Sequence, residues 1–537
     1  MRRLSVPFLS SQEKVNLSRR KLSYYSNRPA EMAVPRRLLQ LGIIVIICSY
    51  LYTLYTKNRS RGVYTVEQMV LQNWNKVIEM PAVQFRKVVV GINGNVDMIV
   101  SGTAFVQHSN ETIYEAVDHD VITNFDTLLE TFIHFFGKGV AAERYISNRN
   151  TMDTARTIAE EVPNVQYAVG GNAAIIAQRI ASWYPTKAKV YLVGPIGPRL
   201  RALLHPNVRT ENQTSITKDE VHLILEYKQA EMIGDYVAPI SSRFMISHDS
   251  LSKSQLILDM FFNTVSLHRP ELVIISGLHL IGHQPKELWM DKIKMIKRSL
   301  NQHNPLVPTH LELGSMSNQE FVKHLVHRVI AFIDSIGLNE QELVFLSHAA
   351  NGPHNHLFPL PGGSLPVHKA VDILAWLINA YGKDFSNPDS KKINFRLQRI
   401  HFKTLTYHIL VTRGPDWSNN AAAIAAGARI AGTCGGGGGN SGTVSGGSSG
   451  SSGTVGGGII NADDVEFRIG DKFMLDSIEE RKYSFNANNP MVSWMRGSIL
   501  FMFTPALVCK FPAKTVGVSD TISAAGLMYS AYYRFDK

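Results

Sequence analysis

Eight short, nearly uncharged apolar runs are spread along the chain: KVVVGI (87–92), KVYLVG (189–194), VHLILEY (221–227), ELVIISG (271–277), VPTHLEL (307–313), ELVFL (342–346), YHILVT (407–412) and ILFMFTPALV (499–508). A continuous run of this length suits a strand covered on both faces, because both sets of alternating side chains then meet a core. Helix-like stretches lie between several of them, at 125–136, 171–182, 285–300 and 319–335. Strands alternating with helices predict an α/β fold built on a large, doubly wound, mostly parallel sheet. A chain of 537 residues with 45% hydrophobic and 18% charged residues has ordinary globular composition, enough for one large domain or two smaller ones.

The formal charge of +11 points at first to nucleic acid, but its distribution argues otherwise. Residues 1–37 hold nine Lys/Arg and two acids, Glu13 and Glu31, so +7 sits in the tail and +4 is left for the other 500 residues. A nearly neutral body excludes a nucleic-acid groove. Cys48, Cys434 and Cys509 make neither a disulfide framework nor a zinc cluster; Cys434 and Cys509 are read as free thiols, with pairing as the alternative.

Residues 38–55 read LLQLGIIVIICSYLYTLY, 18 residues without a charge. Tyr50, Tyr52 and Tyr55 sit at one end, where aromatic rings favour the headgroup region. With 37 residues ahead of it, the segment reads as an uncleaved signal anchor over 38–56, and a cleaved signal is the rival. The basic flank places the tail in the cytosol and the body across the membrane, a topology that the Asn-x-Ser/Thr sites at Asn58, Asn110 and Asn212 suit. Residues 57–85 read as a stem, with a first helix over 57–80 as the alternative. The run at 435–458, Gly and Ser almost throughout, cannot bury apolar surface and reads as a flexible insertion within the body.

The segment TVGVSDTISAAGL (515–527) has the most pointed chemistry. A Gly-containing turn leads into a small-residue helix, so backbone N–H groups and the helix dipole face an anion. Asp520 there can take a proton from an attacking hydroxyl; the alternative is a helix cap without chemistry. GINGNVD (91–97) offers Asn93, Asn95 and Asp97 at alternate positions, one face of an extended segment, able to bond several sugar hydroxyls. VGGNAA (169–174) gives two glycines and Asn172 at a helix start, and GKGVAAER (137–144) carries Glu143. Glu312 in HLELGSM (310–316) and Glu342 in GLNEQE (337–342) are read at strand ends, where two carboxylates suit magnesium held through water.

This ordered set, together with SGLHL (276–280), HFKTLTYHI (401–409) and GVSD (517–520), resembles the ADP-dependent glucokinases, most closely the animal members of the endoplasmic reticulum, from about Val88 to about Tyr532. The resemblance implies a ribokinase-like fold, with a small lid domain drawn from about 98–165 and 200–250 that closes over sugar and nucleotide. It implies transfer of the β-phosphoryl of ADP to the 6-hydroxyl of glucose, with Mg2+. It places the catalytic Asp on Asp520, the anion-hole turn on Gly517, Val518 and Ser519, and the magnesium-related patterns on His310 and Glu312 and on Asn339 and Glu342, with Asp520 beside them. The sugar positions fall on Asn95, Asp97, Glu143, Gly171, Asn172 and His248. The choice of ADP over ATP rests on this resemblance alone. Ser519 stands where the family has a second glycine, which leaves a catalytically impaired relative that binds nucleotide or sugar as the alternative. A monomer is the expected state.

Overall fold

The computed structural model describes residues 45–52, 64–111, 115–183, 188–211, 215–360, 365–382, 396–433, 460–510 and 516–534. The chain divides into two units, Met1–Val63 and Tyr64–Lys537. In the first, residues 45–52 are helical and expose Val45, Ile46, Ile47, Tyr50, Leu51 and Tyr52. The rest of the expected anchor, the basic tail and the insertion at 435–458 lie outside the described residues, and no described helix is long and apolar enough to cross a membrane.

In the second unit, a ten-stranded sheet runs in the order Val492–Arg496, Ile499–Pro505, Tyr407–Arg413, Arg399–Lys403, Ser335–Asn339, Thr309–Glu312, Leu272–Ser276, Lys87–Gly91, Lys189–Val193 and Val208–Thr210. Neighbours are parallel from Arg399–Lys403 through to Val208–Thr210 and antiparallel over the other edge. The apolar runs follow from what covers them. Val88 and Val90 enter one core with Leu272 and Ile274, while Val89 enters the other with Val273 and Ile275. Helices Gln255–His268, Lys286–Gln302, Gln319–Arg328, Glu340–Ala349 and Val367–Ala380 cover one face. Helices Val66–Val77, Asn172–Trp183, Asn420–Ala431 and Val518–Met528 cover the other.

A six-stranded sheet forms the smaller layer, in the order Val121–Ile122, Ala142–Ile146, Ser242–Ser247, Val221–Tyr227, Asn95–Ser101 and Gln166–Gly170. One face carries its apolar core. Met98, Val100, Leu223, Leu225, Phe244 and Ile246 meet Phe105, Phe132, Phe136 and Ala155 there. With a side-chain period of two, Asn95, Asp97, Glu143, His222 and Arg243 project from the other face.

Two sequence readings change, and a third is decided between its alternatives. ELVFL is not a strand. It lies in helix Glu340–Ala349, started by a capping box in which Asn339 and Glu342 bond each other's backbone N–H, and the strand is the preceding Ser335–Asn339. A short apolar run has no period that separates strand from buried helix, and the cap decided it. The stretch 57–85 contains helix Val66–Val77, whose Val70 and Trp74 are buried in the body; Trp74 Nε1 donates to Thr504 Oγ1 at 2.9 Å. Cys509 is disulfide-bonded and Cys48 is free, which leaves Cys434 as the third cysteine of the chain.

Candidate active site

Strands Thr309–Glu312, Ser335–Asn339 and Arg399–Lys403 end side by side at their C-terminal ends, the usual ligand edge of an open α/β sheet. Glu312 pairs in register with Gly337, and a Cβ on Gly337 would stand 2.0 Å from Glu312 Oε2 and 2.8 Å from Ser523 Oγ. That glycine is therefore what leaves room for the Glu312 carboxylate. The buried Lys403 ammonium donates to Glu312 Oε1, to Ser523 Oγ and, at 3.0 Å, to the carbonyl of Ser519. His310 donates from Nε2 to Glu312 Oε2 (3.1 Å) and accepts at Nδ1 from Ser335 Oγ (2.9 Å), which in turn accepts from Arg399 (3.0 Å). Burial keeps His310 neutral, with a pKa down at about 4. Burial also opposes the Glu312 charge, but the Lys403 ammonium and the His310 bond outweigh it and hold the carboxyl at about 2.

Helix Val518–Met528 stands over this edge. Gly517 caps it with φ +75°, the left-handed region that a residue with a Cβ rarely enters. Ser519 lies inside the helix and carries no positive φ, so the serine that departs from the family pattern sits in ordinary right-handed backbone. Asp520 is buried in the first turn. Its Oδ1 accepts from Asn172 Nδ2 at 2.9 Å, and Asn172 Oδ1 accepts from Asn93, whose own Oδ1 takes the Ala173 N–H at 3.0 Å. Asn93 and Asn172 thus fix one oxygen of Asp520 from the far side. Burial, reinforced by the nearby Glu312 charge, pushes the Asp520 carboxyl up to about 6. Glu342 feels the same two effects and rises to about 8.

The open face of the smaller sheet meets this edge through Gly170 and Gly171. A Cβ on Gly170 would stand 1.9 Å from Asp97 Oδ1, and Gly171, at φ +80°, lies against Asn95 Oδ1. Asn95 donates to Asp97 Oδ1 at 2.8 Å, which leaves Asn95 Oδ1 buried without a partner. Nearby, Ser247 Oγ, Asp249 Oδ1 and His279 Nδ1 are also buried and unpartnered. Burial pushes Asp97 up to about 7 and raises Glu143. Burial works against a charge on His222, but Asp249 at 2.8 Å, with Glu143 and Asp97, overcomes it and lifts the imidazole to about 10. The result is a buried sheet face of mixed charge with spare acceptors, chemistry suited to a polyhydroxylated ligand.

The structure brings Asn95, Asp97, Glu143, Gly171 and Asn172 to this region. His248 donates to the Ile146 carbonyl at 2.7 Å and stacks on Tyr145. Sequence reading passed over His222, Asp249 and Lys403. The signal for His222 was its place in VHLILEY, out of phase with Leu223 and Leu225.

Among the described residues no group of three or more His, Cys, Asp or Glu is arranged to hold a metal. Both oxygens of Glu312 are engaged by Lys403 and His310, and both of Glu342 by Asn339. The mutual repulsion that raises Glu342 and Asp520 nonetheless fits a divalent cation held through water and substrate phosphate, the usual habit of magnesium.

A family model described as the ADP-specific phosphofructokinase/glucokinase conserved region matches residues 86–529. The chain is 45% identical to a probable ADP-dependent glucokinase of Caenorhabditis elegans, over 95% of this chain and 98% of that one. It is 38% identical to an ADP-dependent glucokinase of Bos taurus, over 87% and 89%. Among solved structures, an ADP-dependent kinase in complex with fructose 6-phosphate and ADPβS superposes with a TM-score of 0.58 at 15% identity, over 87% of this chain and 97% of that one. At that identity the likeness shows the fold, which is ribokinase-like.

Proposed function

The chain belongs to the ADP-specific phosphofructokinase/glucokinase family, and on that footing we propose that Asp520 is its general base and the turn Gly517–Val518–Ser519–Asp520 its anion hole. The enzyme is a phosphotransferase that phosphorylates glucose with ADP. The finer assignment is transfer of the β-phosphoryl group to the 6-hydroxyl, giving glucose 6-phosphate and AMP. Asn95, Asp97 and Glu143, with His222 behind them, bind the sugar hydroxyls. The carboxylate of Asp520 accepts the proton of the attacking hydroxyl as the bond to phosphorus forms. N–H groups at the start of helix Val518–Met528 face the charge on the transferring group, where positioning and electrostatics supply most of the catalysis. Glu312 and Glu342 would hold magnesium, which would neutralise phosphate charge there.

The observation that carries this reading is the bond from Asn172 to Asp520: it ties the base to the loop beside Asn95 and Asp97, at the helix end where an anion is favoured. The test is glucose 6-phosphate formation by the full-length chain with ADP and magnesium, beside Asp520→Asn. Turnover by the wild type and its loss in the variant support the reading; equal turnover in both removes Asp520 as base.

The catalytic body is also assigned to the lumen of the endoplasmic reticulum, anchored by residues 38–56. Support comes from the uncharged run, from its exposed apolar helix at 45–52, and from the Cys509 disulfide, which oxidising compartments preserve. A lumenal body exposes Asn110 to glycosylation, so endoglycosidase treatment of the expressed protein should shift its mobility; no shift with either Asn110 or Asn212 intact argues for a cytosolic body.

A further inference from the structure

Lys403 is the one buried ammonium among the three acids of the catalytic edge, and the reading above gives it no role. Its three donors have three acceptors: the Glu312 carboxylate, Ser523 Oγ and the Ser519 carbonyl. The last of these matters most. The Ser519 carbonyl and the Asp520 N–H belong to one planar trans peptide, so they point in opposite directions and turn together. A cation that holds the carbonyl from below aims the N–H out of the helix N-terminus, toward the place where an anion sits. Lys403 is itself buried. It reaches this point because Gly337 lies between its strand and that of Glu312, leaving a gap that a side chain would fill.

We propose that Lys403 is a positioning residue that locks the Ser519–Asp520 peptide of the anion hole to the Glu312 carboxylate, setting the aim of the Asp520 N–H and of the base in one contact. The proposal rests on the assignment of Asp520 and its turn given above. A residue of this kind acts on the transition state rather than on sugar binding, since Asn95, Asp97 and Glu143 bond none of its partners.

The test uses the full-length enzyme with ADP, glucose and magnesium. Lys403→Met keeps the length of the side chain and removes its charge and donors. The expected result is a fall in kcat of about 100-fold with the glucose KM within about twofold, the low end for a lost donor at an oxyanion site. Lys403→Arg should recover part of the rate. An unaltered kcat, or a rate that falls only in proportion to the folded fraction by circular dichroism, overturns the proposal. Should Lys403→Met fail to fold because Glu312 is left unpaired, the double variant Lys403→Met/Glu312→Gln removes both charges. Compared with Glu312→Gln alone, it should be at least tenfold slower; equal rates overturn the proposal. A wild type that makes no glucose 6-phosphate would sink the functional assignment itself, an outcome distinct from wild-type turnover with an unaffected Lys403 variant.

Discussion

The two halves of the site meet the same problem, carboxylates out of water, and solve it with different cations. On the smaller sheet, Asp97, Glu143 and Asp249 surround His222, which their charges keep protonated, and Asp97 still rises to about 7. On the larger sheet, Lys403 holds Glu312 at about 2 while Asp520 and Glu342 stay raised. The first arrangement leaves acceptors unpartnered, such as Asn95 Oδ1 and Asp249 Oδ1, as a binding wall should. The second engages every atom of Glu312 and leaves Asp520 with one oxygen fixed by Asn172, as a proton acceptor should be. Both depend on a glycine on the neighbouring strand, Gly170 in one and Gly337 in the other, where a Cβ would displace the carboxylate. Under the proposed function, the contrast is between a surface for binding and an edge for reaction.

Variants should split along that line. The largest effect is expected from Asp520→Asn, which should lower kcat about 10³-fold with little change in the glucose KM, within the span of a lost general base; a large rise in KM would move Asp520 to the binding half. Gly337→Ala should follow, with kcat down about 100-fold from displacement of Glu312 and Ser523, read by steady-state kinetics. Gly170→Ala and Asp97→Asn should act on the other half, weakening glucose by about 10- to 100-fold in calorimetry, the range for lost bonds to a charged group. A fall in kcat at unchanged affinity would erase the distinction.

The pH dependence sharpens the same comparison. Asp520 is a base only when ionised, so kcat should fall tenfold per unit below about pH 6. Asp97 accepts hydroxyl bonds best as a carboxylate, so glucose affinity in the free enzyme should weaken below about pH 7 and flatten in Asp97→Asn. The smallest effect belongs to Ser519→Gly. The serine sits in helical backbone, so the change should alter kcat less than about threefold and lower stability by about 0.5–1 kcal/mol, measured by thermal unfolding. A large gain in activity would revive the impaired-relative reading.

Much of the fold was legible. Six of the eight continuous apolar runs are strands of the larger sheet, and Val88, Val89 and Val90 divide between two cores as such runs require; VHLILEY belongs to the smaller sheet. ELVFL was misread because a five-residue apolar run fits a buried helix equally well, and the deciding Asn339–Glu342 cap is a contact rather than a period. Asp520, Asn95 and Asp97 could be singled out as candidates because their neighbours in sequence, a Gly turn and alternate polar positions, are also their neighbours in space. Lys403 could not, since its partners lie 91, 116 and 120 residues away.

The sequence by itself determined the sheet, the helix start that favours an anion, and the residue types at the site, because strand period, turn chemistry and capping are local. Only the tertiary structure decided which acid is charged, which cation answers it and which glycine makes room. Those depend on burial and on distances of a few ångströms between segments that the chain order leaves far apart.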